Sequence, residues 1–280
     1  MRIDDALVWA QFTLVNSDTA LLDAQVLLAF VLAKETVYLI TWPERDLTRE
    51  QKSQFEALIS QRVNGVPVAH LTGTREFWSL PLKVNNSTLI PRPDSEILVE
   101  TALGVCSADA SILDLGTGTG AIILALASEL PKSRCVGVDL SCDAVNLARE
   151  NAQHLTISNV LFKQSNWFEN VEGEFDLIVS NPPYIAKNDV HLNQGDLRFE
   201  PLSALVADDN GLADIRLIAQ QAPDYLKKGG LLLIEHGFEQ ASAVAAILHE
   251  LHYVQIKTIQ DYGGNDRVTI ALFNPERKEA

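Results

Sequence analysis

Short apolar strands and amphipathic helices alternate from residue 111 onward, and this alternation most constrains the fold. Apolar runs without a polar face are typical of strands buried in a parallel sheet. The predicted strands cover residues 112–115, 135–138, 160–163, 175–179, 231–235, 254–259 and 267–273. No helix separates the last two, so we expect them to form a hairpin whose terminal strand is antiparallel. The pattern predicts an α/β fold with a doubly wound, mostly parallel, seven-stranded sheet.

The first 75 residues lack this alternation and predict a small helical bundle. Thr48 and Gln51 have the spacing of a capping box at the start of one helix. A second predicted helix, 19–34, carries apolar side chains around much of its circumference, and we expect it to be buried centrally. No catalytic constellation occurs in this part. Such a bundle can be a recognition module or a lid, and we interpret 1–75 as a substrate-recognition domain.

A short connecting segment separates this bundle from the alternating region. Residues 76–92 suggest a hairpin and linker, and residues 93–280 form the α/β domain. Pro91 and Pro93 make the chain extended there, and Asp94 is a good N-cap for the helix that follows. A stiff loop of this kind can line a pocket or act as a plain connector.

The charge balance constrains the partners. The net charge is −15 and no Lys/Arg cluster occurs, so a nucleic acid is an unlikely partner and a protein fits better. No apolar run has transmembrane length, and the N-terminus lacks the layout of a signal peptide. The three cysteines have no metal-ligand spacing. We expect a cytoplasmic protein without a metal or a membrane segment.

A glycine-rich turn follows the first predicted strand of the sheet. Its residues are Gly116, Thr117, Gly118, Thr119 and Gly120. Such a turn brings the backbone close to a ligand and opens a helix whose N-terminus favours an anion. Asp139 ends the next strand, where an acid can bind a ribose diol. These features alone leave open a dinucleotide-dependent dehydrogenase as well as an enzyme with a nucleoside cofactor.

Planar and amide side chains follow the third and fourth strands. Asn166 and Trp167 lie where an adenine ring would be placed, although a Trp after a strand is more often part of the core edge. The fourth strand leads into Asn181-Pro182-Pro183-Tyr184. Two prolines after a strand can be only a turn. Together with the other strand ends, however, they predict acceptors for an NH2 group, which a hydride-transfer enzyme does not need.

The predicted chemistry is methylation of a planar NH2 group. An amide nitrogen is a poor nucleophile because its lone pair is delocalised into the carbonyl group. Two acceptors, the Asn181 side-chain oxygen and the Pro182 carbonyl, would favour the charge that builds on nitrogen as it attacks a methyl sulfonium. Tyr184 would stack on the planar group and fix its tilt. Asn181, Pro182 and Tyr184 are therefore the candidate catalytic residues.

Several motifs resemble those of the HemK/PrmC methyltransferases, and the resemblance covers nearly the whole chain. The matching segments are 88–94 (TLIPRPD), 113–120 (LDLGTGTG), 138–139 (VD), 166–168 (NWF), 180–185 (SNPPYI) and 198–202 (RFEPL). The NPPY motif alone also occurs in adenine N6 DNA methyltransferases and some rRNA methyltransferases. The segments 88–94 and 198–202, with the helical domain, narrow the choice to HemK/PrmC.

The resemblance implies a Rossmann-like class I methyltransferase that uses S-adenosyl-L-methionine. Its substrate would be N5 of the glutamine in the Gly-Gly-Gln loop of peptide chain release factors. Cofactor contacts are implied at Gly116 to Gly120, Asp139, Trp167 and Asn181, and glutamine contacts at Asn181, Pro182, Pro183 and Tyr184. Asn166 departs from the family, which commonly has Asp there. The alternatives are methylation of an adenine or guanine amino group in DNA or rRNA, and a cofactor-binding scaffold without turnover.

Overall fold

The computed structural model describes residues 1–193 and 195–273; residues 274–280 of the predicted α/β domain lie outside that range. The chain divides into two compact units. The first comprises Met1–Thr74 together with the segment 191–199, and the second comprises 75–190 and the described chain from Glu200 onward. The local sequence does not predict that segment 191–199 belongs to the helical unit, because this grouping depends on contacts between distant parts of the chain.

The first unit contains five α-helices within its described residues: α1 (Ile3–Thr13), α2 (Ala20–Leu32), α3 (Thr36–Thr41), α4 (Arg49–Val63) and α5 (Val68–Thr72). Its core is formed by apolar side chains from α1 to α4, among them Ile3, Leu27, Phe55 and Ile59. The capping box is present: the Gln51 backbone N–H donates to Thr48 Oγ1, and the Gln51 side chain accepts from the Thr48 N–H.

Helix α2 differs from its prediction. Leu21, Leu22 and Phe30 are exposed, so the helix is buried on one side only. Its buried side carries Asp23, whose carboxylate pairs with Arg62 of α4 at 2.8 Å. Apolar periodicity alone does not distinguish a helix surrounded by protein from one with an apolar face open to water.

The second unit begins with a hairpin and a helix. Strands β1 (Thr74–Phe77) and β2 (Leu80–Lys83) form the hairpin, and a 3₁₀ turn, Pro93–Ser95, precedes α6 (Glu96–Val105). The prediction that Asp94 caps this helix is wrong. Asp94 lies within the 3₁₀ turn, and its carboxylate lies 3.5 Å from the Arg267 guanidinium, because a long-range charge competes with the local cap.

The remaining strands and helices are β3 (Ser111–Leu115), α7 (Ala121–Glu129), β4 (Arg134–Asp139), α8 (Cys142–His154), β5 (Val160–Gln164), β6 (Phe175–Ser180), β7 (Ile185–Ala186), β8 (Val206–Ala207), α9 (Asp208–Gly211), α10 (Ala213–Gln221), β9 (Leu226–Glu235), α11 (Ala241–Glu250), β10 (Val254–Gln260) and β11 (Asp266–Leu272). Most of them alternate as predicted, but the short β7, β8 and α9 lie in a segment for which no element was predicted.

The central sheet has seven strands in the order β10-β11-β9-β6-β3-β4-β5. Strands β9, β6, β3, β4 and β5 are parallel, and β11 pairs antiparallel with both β9 and β10. The predicted fold is therefore confirmed, including the terminal hairpin. The strand order reverses at β3, where connections leave towards β4 on one side and β6 on the other. A ligand crevice forms outside the carboxyl ends of such strands.

Strand β9 begins earlier than the sequence predicted. Lys227 and Lys228 lie inside β9, before the predicted start of the strand at residue 231. Leu226 pairs with Phe175 of β6, and the Lys227 ammonium contacts the Asp176 carboxylate at 2.7 Å. The neighbouring strand therefore supplies a charge partner that local sequence cannot reveal.

Candidate active site

The glycine-rich turn links β3 to α7 at the carboxyl end of the sheet. Gly116, Gly118 and Gly120 all have positive φ angles, a backbone conformation that glycine adopts without steric cost. The turn is held to the neighbouring strand because the backbone N–H groups of Gly116 and Thr117 both donate to the Val138 carbonyl at 2.9 Å. The backbone path is thus fixed independently of any ligand.

An aspartate inside β3 supports the same turn. Asp114 is buried, and its Oδ2 accepts a 2.6 Å hydrogen bond from Thr117 Oγ1. Its Oδ1 is buried without a partner of good hydrogen-bond geometry among the described side chains and backbone groups. Burial raises the pKa of Asp114 to about 7, and the charge of Asp139 adds to the rise. Asp114 was not among the predicted site residues, although an acid within an apolar strand was a signal available in the sequence.

Asp139 ends β4 beside the glycine turn. Its Oδ2 accepts from the Gly118 N–H and its Oδ1 from the Ser141 N–H, each at 2.9 Å. Burial raises the pKa of Asp139, while these two hydrogen bonds lower it. A carboxylate oxygen has more than one lone pair, so both oxygens keep acceptor capacity for a ligand.

Trp167 follows β5 in a left-handed backbone conformation, with φ 48°. Its six-membered ring would lie 3.6 Å from a Cβ built on Gly116, so the indole covers the turn. The Asn166 side-chain N–H donates to Glu169 at 2.9 Å, and its oxygen therefore remains an acceptor. Asp214 of α10 faces the same space and was not singled out from the sequence.

Asn181 leaves the sheet directly after β6. Ser180 anchors the strand end, because its Oγ donates to the Leu115 carbonyl of β3 at 2.8 Å. The Asn181 Nδ2 donates to Ser95 Oγ at 3.1 Å. No described residue donates to the Asn181 Oδ1, which is the oxygen that the predicted clamp requires.

Tyr184 and Pro182 are placed differently from Asn181. Pro182 is buried. Neither Pro182 nor Tyr184 lines the cavity at the carboxyl ends of the strands into which Asn181 faces. The Tyr184 hydroxyl lies 3.5 Å from Glu235 Oε1, and its backbone carbonyl accepts from Gln240 Nε2 at 3.0 Å. Burial and the Glu235 charge raise the pKa of Tyr184.

Two further sequence segments meet at this end of the sheet. Glu200 is buried, and both its oxygens accept from Arg92 Nη2, at 2.9 and 2.7 Å. Glu200 Oε1 also accepts from the Ile90 N–H at 3.3 Å. The ion pair therefore joins segment 88–94 to segment 198–202, both of which carry the resemblance.

These strand ends and loops enclose one cavity of about 340 Å³, a size typical of small-molecule sites. Of the predicted cofactor and substrate residues, eight line it: Gly116, Thr117, Gly118, Thr119, Asp139, Trp167, Asn181 and Pro183. Gly120 does not line it; a Cβ built there would lie 3.0 Å from Leu124 Cδ1 and 3.2 Å from both Ala148 and Phe162. Within residues 1–193 and 195–273 no group of side chains has the composition of a metal site, and no helix is long and apolar enough to cross a membrane.

Comparison with known proteins gives a consistent assignment along the chain. Residues 107–267 match the methyltransferase domain family, and residues 5–73 match the PrmC N-terminal domain family. The release factor glutamine methyltransferase of Vibrio cholerae serotype O1 is 56% identical over 266 residues, covering 94% of this chain and 93% of that protein. The enzyme of the same name from Shewanella oneidensis is 54% identical over 271 residues, covering 96% and 95%.

A solved structure supports the fold alone. A methyltransferase from Pyrococcus furiosus superimposes with a TM-score of 0.55 at 19% identity, covering 79% of this chain and 99% of that chain. Similarity at this level of identity carries information about architecture rather than substrate.

Proposed function

The chain belongs to the release factor glutamine methyltransferase family, and from this membership we propose that it methylates N5 of a glutamine side chain in peptide chain release factors. The methyl donor is S-adenosyl-L-methionine, and the glutamine is that of the Gly-Gly-Gln loop. The resemblance drawn from the motifs is thereby confirmed at the level of the family, and the dehydrogenase alternative is removed.

The cavity suits S-adenosyl-L-methionine, which when bound supplies a methyl group on a sulfonium centre. Asp139 has two carboxylate oxygens with acceptor capacity for the ribose hydroxyls. Trp167 offers a planar face for the adenine, and Asn166 offers a side-chain oxygen to its amino group. The loss of a negative charge at Asn166 weakens that contact without removing it.

The proposed chemistry depends on the hydrogen bonding of the Asn181 side chain. Its NH2 group is engaged by Ser95, so its Oδ1 is the acceptor that remains for a substrate NH2. Such an acceptor, aided by the Pro182 carbonyl, stabilises the positive charge that develops on nitrogen. Holding the amide in line with the methyl group adds the contribution of proximity. The proton becomes acidic once the methyl group has been added, so no strong general base is required beforehand.

The substrate class follows from the family and the charge. A net charge of −15 disfavours DNA or rRNA, the alternative substrates, and suits a protein partner. We assign the helical domain, residues 1–75, to recognition of the release factor body. The proposed reaction places the enzyme in the cytoplasm, where release factors act.

Mass spectrometry of purified release factor, incubated with enzyme and S-adenosyl-L-methionine, tests the proposal directly. We expect a gain of one methyl group on the glutamine of the Gly-Gly-Gln peptide, and none on DNA or rRNA. Methylation of nucleic acid but not release factor would overturn the substrate assignment. Binding of S-adenosyl-L-methionine without any product would favour a scaffold.

Replacement of Asn181 tests the assigned chemistry. Asn181→Ala should lower kcat by roughly a hundredfold, the scale of one lost transition-state polar contact. The Kd for S-adenosyl-L-methionine, measured by calorimetry, separates loss of chemistry from loss of cofactor. Turnover close to that of the wild-type enzyme would refute the role.

A further inference from the structure

Gln240 joins three backbone segments through its side-chain amide. It lies directly before α11, where its own N–H donates to the Gly237 carbonyl and its carbonyl accepts from the Val244 N–H, each at 2.9 Å. Its side-chain Oε1 accepts from the Gly237 N–H at 2.8 Å. Its Nε2 donates to the Tyr184 carbonyl at 3.0 Å and to the Asn210 carbonyl at 3.1 Å. The amide therefore binds one main-chain donor and two main-chain acceptors.

The partners of this amide fix its orientation. A backbone N–H only donates and a backbone carbonyl only accepts, so the side-chain oxygen must face Gly237 and the nitrogen must face the two carbonyls. Exchange of the oxygen and the nitrogen would break all three hydrogen bonds. Two glycines leave space for the amide: a Cβ built on Gly237 would lie 3.1 Å from Gln240 Oε1, and one built on Gly211 would lie 2.8 Å from Gln240 Nε2. A side chain at either glycine would displace the amide.

The first carbonyl belongs to the segment that carries the proposed acceptor. The peptide between Tyr184 and Ile185 is held on both sides, because its carbonyl accepts from Gln240 and its N–H donates to the Leu205 carbonyl at 2.9 Å. Asn181 lies three residues before Tyr184 and lines the cavity. Gln240 is therefore an anchor at the far end of the segment that begins at Asn181.

The second carbonyl belongs to a turn of unusual backbone conformation. Asp209, Asn210 and Gly211 have φ angles of 53°, 54° and 84°, and consecutive left-handed residues are rare because only glycine adopts this conformation freely. Such a conformation persists where the surroundings hold it, and Gln240 Nε2 supplies one of the contacts that do so. Helix α10 follows this turn and carries Asp214, which lines the cavity.

We propose that Gln240 is a positioning residue for the methyl transfer. Its amide holds the segment after β6 and the turn before α10 together, and it thereby fixes where Asn181 presents its oxygen. Gln240 does not line the cavity, so it acts through the main chain rather than on the reacting atoms. The inference rests on the proposed function, since it concerns the acceptor that receives the glutamine NH2.

Two substitutions of similar length, Gln240→Glu and Gln240→Met, test this role. The carboxylate of the first still accepts from the Gly237 N–H, but it places a negative charge against two carbonyl oxygens. The same charge lies at the N-terminus of α11, where it favours the helix. The second substitution removes all three hydrogen bonds without adding a charge. A role confined to α11 and the turn before it would make Gln240→Met the more damaging change, whereas the proposed role makes Gln240→Glu the more damaging one.

Steady-state methylation of release factor measures this order. We expect kcat to fall about fivefold in Gln240→Met and about thirtyfold in Gln240→Glu, within the roughly hundredfold loss that a misplacement of ~1 Å can cause. The Kd for S-adenosyl-L-methionine and the KM for release factor should stay within about threefold of the wild-type values, because the loss lies in the position of the acceptor rather than in ground-state binding.

Asn159→Asp is the matched control. Asn159 is half-buried, as Gln240 is, and its Nδ2 donates to the carbonyls of Ala127 and Leu130, each at 3.1 Å. It lies directly before β5, at the opposite end of the sheet from the cavity. The substitution also replaces an NH2 donor by an oxygen against two carbonyls. It should therefore lower the midpoint of denaturant unfolding but keep kcat within about twofold of the wild-type value.

The inference is wrong if both Gln240 variants keep kcat within about twofold of wild type. It is also wrong if Gln240→Glu turns over as fast as Gln240→Met or faster, since the contacts with α11 would then account for the role. A loss of kcat in Asn159→Asp as large as that in Gln240→Glu would show a general effect of lowered stability. Failure of the proposed function is distinguishable, because the wild-type enzyme itself would then leave release factor unmethylated.

Discussion

Gly211 supports the loop that follows Asn181, and its replacement by alanine should disturb both stability and turnover. The residue ends α9 with φ 84°, a conformation that favours glycine. A Cβ at this position would collide with the Tyr184 carbonyl oxygen and lie 2.8 Å from Gln240 Nε2. That carbonyl is already fixed by the Gln240 side chain at 3.0 Å, so the loop has little freedom to retreat.

The structure gives the magnitude in two parts. A side chain in a left-handed conformation costs about 1–2 kcal/mol. Overpacking against fixed backbone adds about 1–3 kcal/mol, so the free energy of unfolding of Gly211→Ala should fall by roughly 2–5 kcal/mol. The displaced Tyr184 backbone lies three residues from Asn181, and we expect kcat to fall by about tenfold or more, as small misplacements of reacting groups do.

Gly229→Ala supplies the matched control. Gly229 has φ 80°, nearly the same conformation, but nothing lies within 4 Å of the Cβ position. It should lose only the conformational part, about 1–2 kcal/mol, and keep its turnover. Denaturant unfolding and steady-state methylation of release factor measure both effects. Equal losses of stability in the two variants, or unchanged kcat in Gly211→Ala, would show that the collision with Tyr184 has no consequence and would refute the reasoning.

Three further predictions concern charge and recognition. Glu200→Gln should lower the free energy of unfolding by about 2 kcal/mol, less than the ~3–5 kcal/mol of fully buried pairs because Arg92 is still 31% exposed; an unchanged denaturant midpoint would contradict it. Burial raises the pKa of Glu235 to about 7 from 4.5. The contribution of Glu235 to the free energy of unfolding is therefore fully present below pH 4.5 and is lost as the pH rises towards 7. The stability of wild type relative to Glu235→Gln should therefore fall across this interval, by on the order of 3 kcal/mol, and an increase in denaturant titrations would show the sign to be wrong. The exposed side chains Phe12 (75%), in α1, and Val15 (74%), in the turn after it, provide a test of the helical domain. Changing both to Ser should raise the KM for release factor severalfold at constant Kd for S-adenosyl-L-methionine, and an unchanged KM would count against a recognition role.

Much of the cavity was predictable because parallel strands bring their carboxyl ends together. Asp139, Trp167 and Asn181 each follow a different strand, and the alternation of elements therefore sufficed to predict that they meet. The same reasoning identified the glycine turn. Asp114 was not predicted, because a residue inside an apolar strand is expected to belong to the hydrophobic core. Only its buried hydrogen bond with Thr117 identifies it as part of the site.

The sequence by itself determined the order of strands and helices, the turn after β3 and the residue types at each strand end, because hydrophobic periodicity and backbone preferences are local properties. Only the tertiary structure decided which distant side chains pair. Ser95 meets Asn181 across 86 residues, Arg92 meets Glu200 across 108, and the Tyr184 hydroxyl lies 3.5 Å from Glu235 of β9 across 51. Such pairings depend on strand order and loop paths, which arise from packing of the whole sheet. The direction of a single amide in the site is therefore a property of the fold rather than of its motif.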